Sequence, residues 1–167
     1  IIFLSSFGIG GAGNSIFRLC KGLSKKKFNI SIICLKKCPF DKQFRKIGIK
    51  VYKIKSNKTF FAMSKVLHIT KSLISKKYQK NIFMSNIHYS NVLSLIFLRN
   101  LNNLKIVLVE RTPLMELSIY FGFIDFIKKN IIKLLIYLLY NLSDVIICNS
   151  TNISKHFKNK YNLKTKT

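Results

Sequence analysis

Hydrophobic and polar positions follow two different periods along this chain. Short apolar runs with few interruptions are typical of buried strands, and a run with period two indicates a strand near a sheet edge. Between these runs, apolar residues recur at the spacing of helices. The pattern predicts strands at residues 1–6, 30–35, 50–55 (the edge strand), 81–85, 105–109 and 144–148, and helices at 14–27, 61–77, 89–99, 114–142 (two helices) and 151–160.

This alternation of strands and helices continues through the whole chain. It predicts an α/β fold with right-handed crossovers: a doubly wound, mostly parallel sheet covered by helices on both faces. The 167 residues suit one domain of ordinary size. Because no internal repeat, low-complexity linker or composition change divides the chain, we expect a single Rossmann-like domain over residues 1–167.

The composition excludes intrinsic disorder, since 49% of the residues are apolar and only 21% are charged. The formal net charge of +25 has two interpretations. It favours attraction to phosphates, in nucleic acid, an anionic membrane or a nucleotide sugar. Alternatively it reflects translation of an AT-rich genome, because lysine outnumbers arginine 26 to 4 and the lysines are spread through every segment. Both interpretations stay open at this point.

The cysteines indicate reduced thiols and no zinc site. Cys34 and Cys38 are separated by three residues, and no second Cys or His pair has zinc-like spacing. Residues 1–7 lack the basic start and the cleavage region of a secretory signal. We therefore expect a cytoplasmic location.

Residues 114–142 form the most apolar region of the chain. Polar and charged residues interrupt it, so it contains no apolar run long enough to cross a membrane. Two helices with broad apolar faces fit better. These faces either pack in the core or rest on the inner face of the cytoplasmic membrane, held there by lysines. The interruptions are Asp125, Lys128, Lys129, Asn130 and Lys133.

A glycine-rich segment, FGIGGAGN, follows the first strand. Gly8, Gly10 and Gly13 satisfy the dinucleotide pattern G-x-G-x-x-G, but the second strand ends without the acid that binds a ribose. A P-loop is excluded because no Gly-Lys-Ser/Thr follows. Backbone amides of Gly10, Gly11 and Gly13, with a helix capped by Asn14, could hold an anion. A tight turn without a ligand remains the alternative.

Four segments, taken in order, carry a resemblance to a known family. They are IIFLSSFGIGGAGNSIFRLCKGLSKKKFNISIICL, NIFMSNIHYSN, KIVLVERTP and LLYNLSDVIICNSTNISKHF. Together they resemble the amino-terminal domain of the family-four retaining glycosyltransferases of GT-B architecture. The likeness covers nearly the whole chain. It departs from the family pattern at Ala12-Gly13, where many relatives carry an acid and an arginine, and at Glu110, where several place a histidine.

The resemblance implies the acceptor-side half of a hexosyltransferase that works in polysaccharide biosynthesis at the cell envelope. Such an enzyme moves a sugar from a nucleotide-sugar donor to a glycan or lipid-linked acceptor, with retention and without a metal or other cofactor. The expected partners are the donor, the acceptor and an anionic membrane surface, but no nucleic acid. Because these enzymes bind most of the donor with a second domain, we expect a fragment that shows no turnover alone.

The resemblance also suggests roles for the polar residues that follow the predicted strands. Glu110 and His88 become candidate catalytic residues, and Arg111 and Thr112 become acceptor-side residues. Gly10, Gly11, Gly13 and Asn14 become a loop for the donor phosphates. A hydrogen-bonded structural role for His88 and a local Glu110–Arg111 ion pair remain alternatives.

Two other function classes fit the sequence less well. The charge alone suggests a basic nucleic-acid-binding module, but the aromatic residues fall on apolar strand and helix positions. A nucleotide-binding oxidoreductase domain lacks its ribose acid. A metal held by an Asp-x-Asp pair has little support, because no two acids have that spacing, and the shortage of acids disfavours a two-carboxylate hydrolase. The acids are Asp41, Glu110, Glu116, Asp125 and Asp144.

Overall fold

The computed structural model of the chain describes residues 1–5, 11–25, 28–35, 37–74 and 80–167. It consists of two compact units, Ile1–Ser75 and Lys76–Thr167. Each unit alternates strands with helices, and every strand pairing that the structure describes is parallel.

The first unit contains three parallel strands in the order β3-β2-β1. Every residue of β1 and β2 is buried, whereas in β3, which ends the strand order, only Val51 and Ile54 are buried. The predicted edge character of the third strand is therefore confirmed. The elements are β1 (Ile2–Leu4), α1 (Gly11–Lys25), β2 (Ser31–Leu35), α2 (Asp41–Lys46), β3 (Lys50–Ile54) and α3 (Thr59–Leu73).

The second unit contains four parallel strands in the order β4-β5-β6-β7. Its longest pairing joins β4 to β5 over six residues, from Asn81 opposite Leu104 to Asn86 opposite Val109. The elements are β4 (Asn81–Asn86), α4 (His88–Leu98), β5 (Leu104–Glu110), α5 (Phe123–Leu139), β6 (Val145–Cys148), α6 (Thr151–Tyr161) and β7 (Thr165–Lys166), with short 3-10 helices at Leu114–Ser118 and Tyr140–Leu142.

Strands are added outward from β1 in the first unit and outward from β4 in the second. This winding and the parallel pairing are those of a doubly wound, Rossmann-like α/β fold, so the predicted fold class is confirmed. All four cysteines are buried and free, as expected for reduced thiols.

Two predicted helix features are wrong. Asn14 does not cap the first helix, because α1 begins at Gly11 and Asn14 lies inside it. The apolar pattern starts only at Ile16, so a first turn made of small and polar residues left no periodic signal. Residues 114–142 form one α-helix, α5, flanked by two short 3-10 helices instead of two long helices. Gly122, at φ 118°, has a non-helical backbone, so α5 begins only at Phe123.

The last helix, α6, begins and ends with the residues that helix termini favour. The Ser150 hydroxyl accepts a hydrogen bond from the Ile153 N–H at 3.3 Å, which confirms the predicted cap. Asn162 ends the helix in the left-handed region, at φ 50°. The Ser154 and Thr165 hydroxyls are hydrogen-bonded at 2.6 Å, which attaches the short strand β7 to this helix.

Replacing the cap by Ser150→Ala should destabilise the protein by about 1 kcal/mol, because one N–H of the first turn loses its acceptor. Urea unfolding followed by circular dichroism measures the change. Ser150→Asp restores an acceptor and should recover most of the loss. Equal stability of the alanine variant and the natural protein would contradict the assigned cap.

Candidate functional site

The strongest cluster of polar residues lies at the carboxyl ends of neighbouring strands in the second unit. Asn86 is the last residue of β4 and Glu110 the last of β5. Glu110 stands opposite Cys148, the last residue of β6. In parallel α/β sheets, ligands bind at this edge because the helix amino termini and the polar loops meet there.

Glu110 is fully buried at this edge and has hydrogen-bond partners from several elements. Its Oε1 accepts a hydrogen bond from Asn91 Nδ2 at 2.7 Å and another from the Tyr140 hydroxyl. Its backbone carbonyl accepts from the Asn149 N–H at 3.0 Å. A buried carboxyl group without partners would cost several kcal/mol, so these contacts make its position possible.

His88 is the first residue of α4 and lies beside the same carboxyl group. Its Nδ1 is 3.4 Å from Glu110 Oε2, at the long end of hydrogen-bond range. The imidazole is buried, with 5% of the residue exposed. Nε2 makes no hydrogen bond within the described part of the chain. The carboxyl group thus contacts one nitrogen of the imidazole, Nδ1, and leaves the other, Nε2, available to a ligand.

The residue before His88 has a strained backbone. Ile87 has φ 73°, a value that β-branched residues rarely adopt. Such a conformation costs about 1–3 kcal/mol and persists only where the surroundings enforce it. Here the Ile87 N–H donates to the Val109 carbonyl at 3.1 Å, and the Ile87 carbonyl accepts from the Asn91 N–H at 2.9 Å. These two bonds fix the turn from which His88 projects.

Arg111 follows directly after β5 and is positioned by the neighbouring strand. Its Nε donates to Asn86 Oδ1 at 3.1 Å, and burial lowers the pKa of its half-buried guanidinium. An arginine remains charged even so. No acidic side chain in the described ranges pairs with Arg111, so the predicted ion pair with Glu110 is not formed. A positive charge is therefore held at the strand ends.

Two buried polar oxygens near these residues lack a partner in the part of the chain that the structure describes. They are Asn91 Oδ1 and Thr112 Oγ1. Unpaired buried polar atoms are uncommon in folded proteins and often mark positions that a ligand or solvent molecule completes. Thr112, which was predicted on the acceptor side, thus lies two residues after Glu110, and its hydroxyl has no hydrogen-bond partner among the described residues.

The predicted phosphate loop lies in the first unit and is only partly described. Gly10 falls outside the described residues. Gly11 opens α1, while Gly13 and Asn14 lie in its first turn, which has no acidic residue. An α-helix leaves its first four N–H groups without intrahelical partners. Those of Gly11 and Gly13 belong to this set, and the helix dipole adds partial positive charge there.

The sequence predicted His88, Glu110, Arg111 and Thr112 as site residues. It did not predict the residues that hold them in place. Asn91 lies three positions after His88 on α4, a spacing that puts both residues on one face of the helix. This spacing could have indicated Asn91 as a neighbour of the site. Tyr140 stands in an apolar run, and nothing in its spacing distinguished it from core residues. Asn86 is the last residue of β4 and lies within the segment NIFMSNIHYSN, but no role was predicted for it.

The fold and the site define a parallel α/β protein with polar groups at its strand ends. A profile of Glycosyltransferase Family 4 matches residues 9–167. The chain belongs to this family, which supports a glycosyltransferase-type function and favours neither the nucleic-acid nor the oxidoreductase alternative. Comparison with curated proteins gives no significant match.

Tyr140 provides a pH test of the buried network. Burial, followed by the adjacent Glu110 carboxyl group, raises the pKa of Tyr140 well above its ordinary value of 10.0. Above about pH 10 the unfolded state therefore loses this proton while the folded state keeps it. The stability that Tyr140 contributes is complete below that pH and falls as the pH rises further.

Tyr140→Phe should therefore reduce the loss of stability between about pH 9 and about pH 11, by up to about 1.4 kcal/mol per pH unit. Urea unfolding at several pH values measures this slope. Tyr137→Phe, which removes a hydroxyl from an exposed position of α5, is the matched control. An equal change of slope in both variants would contradict the role assigned to Tyr140.

Proposed function

We propose that this chain is the acceptor-side domain of a retaining, metal-independent glycosyltransferase. The enzyme would move a sugar, of the hexose type, from a nucleotide-sugar donor to a glycan or lipid-linked acceptor. The observation that carries the proposal is the convergence of His88, Glu110 and Arg111 at the ends of β4 and β5 in a chain of this family.

In this proposal His88 and Arg111 contact the acceptor. His88 offers Nε2 to a hydroxyl or phosphate of the acceptor, and Arg111 offers N–H donors and a positive charge. Glu110 does not touch the acceptor, since it is fully buried. It acts through His88 as a positioning residue, and the Tyr140 hydroxyl and Asn91 amide hold its carboxyl group.

The first turn of α1 would serve the donor phosphates. A nucleotide diphosphate gains negative charge as its bond to the sugar breaks, and fixed N–H dipoles stabilise such charge. The amides of Gly11 and Gly13 supply these dipoles, with Gly10 and Asn14 expected beside them in the loop. An added Cβ at Gly11 would meet no described atom within 4 Å, so steric exclusion is not what requires glycine there.

The exposed side of α5 supports the expected contact with a membrane surface. This surface, which we call the α5 apolar surface, exposes large side chains in the second unit; Phe121, Phe123 and Ile124 are 86%, 77% and 68% exposed. Lys129 and Lys133 lie over the rings of Phe121 and Tyr120 at 5.4 and 5.2 Å. The α5 apolar surface comprises Phe121, Phe123, Ile124, Ile127, Ile131, Leu134, Tyr137 and Leu138.

An apolar face bordered by lysines is the combination that binds anionic lipid surfaces. No helix among the described residues is long and apolar enough to cross a bilayer. The proposed contact is therefore peripheral, with α5 lying in the plane of the inner leaflet of the cytoplasmic membrane. Such a position would bring a lipid-linked acceptor to the domain.

The acceptor contacts can be tested in the natural full-length protein with donor and acceptor supplied. His88→Ala and Arg111→Met should each raise KM for the acceptor about 10- to 100-fold, the effect of losing one hydrogen bond to a charged or buried group. KM for the donor should change little. Arg99→Met, which removes an exposed arginine just after α4, is the control for charge. Unchanged acceptor KM in both site variants would refute the assignment.

The membrane contact can be tested by flotation with vesicles of phosphatidylglycerol and phosphatidylcholine. Phe121→Ser combined with Phe123→Ser should weaken binding by about tenfold or more, because burying each phenylalanine contributes about 1.5–3 kcal/mol. Phe60→Ser with Phe61→Ser, which removes two exposed phenylalanines from α3, is the matched control. Equal losses in the two double variants would contradict a specific role of α5.

A further inference from the structure

A basic groove lies in the first unit, at the carboxyl end of β3 and along the middle of α3. Its volume is about 650 Å³, within the range of small-molecule sites. Four nitrogen-bearing side chains, one hydroxyl and two isoleucines line it. These residues are Lys53, Lys55, Lys65, His68, Ser64, Ile54 and Ile69.

We propose that this groove binds the phosphate group of an organic phosphate, in addition to the donor and acceptor contacts proposed above. The inference does not rest on the proposed function. Lys55 and Lys65 would bind the phosphate oxygens, and the Ser64 hydroxyl and the His68 imidazole would add hydrogen bonds. Ile69, which is only partly buried, offers an apolar surface to the carbon part of the ligand.

The charges around the groove favour an anion. Asp41 is the sole acidic residue in residues 1–75 of the sequence. Its carboxyl group is already paired, with Lys53 Nζ at 2.7 Å and Arg45 Nε at 3.0 Å. The hydrogen bond from Lys53, and then that from Arg45, lowers the pKa of Asp41. Asp41 is therefore ionised but balanced by these two partners, and it leaves the charges of Lys55 and Lys65 uncompensated.

The groove also has a fixed frame. Lys53 and Ile54 belong to β3, which is paired with β2 from Lys50 opposite Ser31 to Ile54 opposite Leu35. The α3 residues stand on a helix whose inner face is buried through Ala62, Met63 and Val66. Except for Lys55, which directly follows β3, the lining side chains thus belong to two elements with hydrogen-bonded backbones. A site with a fixed backbone loses less entropy when it binds a ligand.

Inorganic pyrophosphate is the probe for a soluble ligand. Its binding is measured by calorimetry at about 0.15 M salt, which suppresses long-range electrostatic attraction. The natural chain should bind it saturably. Lys55→Gln with Lys65→Gln should weaken binding about tenfold or more, because two charge-assisted contacts are lost. Lys21→Gln with Lys46→Gln removes the same charge from exposed positions of the same unit and should have little effect.

A second arm detects a phosphate carried by a lipid. Vesicles containing phosphatidic acid are added to chains that already carry Phe121→Ser and Phe123→Ser, so that binding through α5 is removed. A loss specific to the Lys55/Lys65 variant in either arm supports the groove and tells which source carries the phosphate. Absence of saturable binding in both arms, or an equal loss in the Lys21/Lys46 control, would overturn the proposal.

Discussion

A carboxyl group removed from water needs hydrogen bonds, and this constraint organises the second unit around Glu110. The side chain receives donors from Asn91 on α4 and from Tyr140 just after α5. Its backbone carbonyl receives the Asn149 N–H just after β6. A single residue at the end of β5 therefore connects the ends of three other elements. The packing of Tyr140 against Phe157 of α6, with ring centroids 5.8 Å apart, extends this network into the core.

Burial also distinguishes Glu110 from Arg111, its neighbour in the sequence. Glu110 is fully buried among its hydrogen-bond partners, whereas Arg111, one residue further on, is half-buried and keeps a charge near the surface. The difference coincides with the end of the strand, because Glu110 is the last residue of β5 and Arg111 lies just beyond it. The strained turn at Ile87 adds a second fixed point, so that His88 is held from both its backbone and its ring.

The sequence predicted most of this fold because the elements that form the core are periodic. Strands such as β2 are continuous apolar runs, and the long helices expose one face, so their order could be read directly. The elements that were missed, α2 and β7, have six and two residues. In α2 only Phe44 is buried, and one core residue makes no period.

The candidate site was predictable in position but not in its internal contacts. Parallel strands bring their carboxyl ends to one edge, so the polar residues after β4 and β5 could be expected to converge. Which of them is buried depends on distant parts of the chain. Tyr140 is 30 residues from Glu110, and its hydroxyl supplies one of the hydrogen bonds that the buried carboxyl group needs. No local pattern encodes such a contact.

The few acids of this chain show how its large positive charge should be interpreted. Asp41 pairs with Lys53 and Arg45, Asp144 accepts the Ile106 N–H at 2.8 Å, and Asp125 accepts the Phe121 N–H at 3.0 Å. Together with Glu110, four of the five acids thus accept hydrogen bonds within the fold. Acids with these fixed roles give little compensation to the remaining lysines. The net charge of +25 is therefore a background to which the whole surface contributes, and a specific anion site has to be recognised by its geometry. Fixed backbones, uncompensated cations and a nearby apolar surface distinguish such a site from an ordinary lysine-rich face.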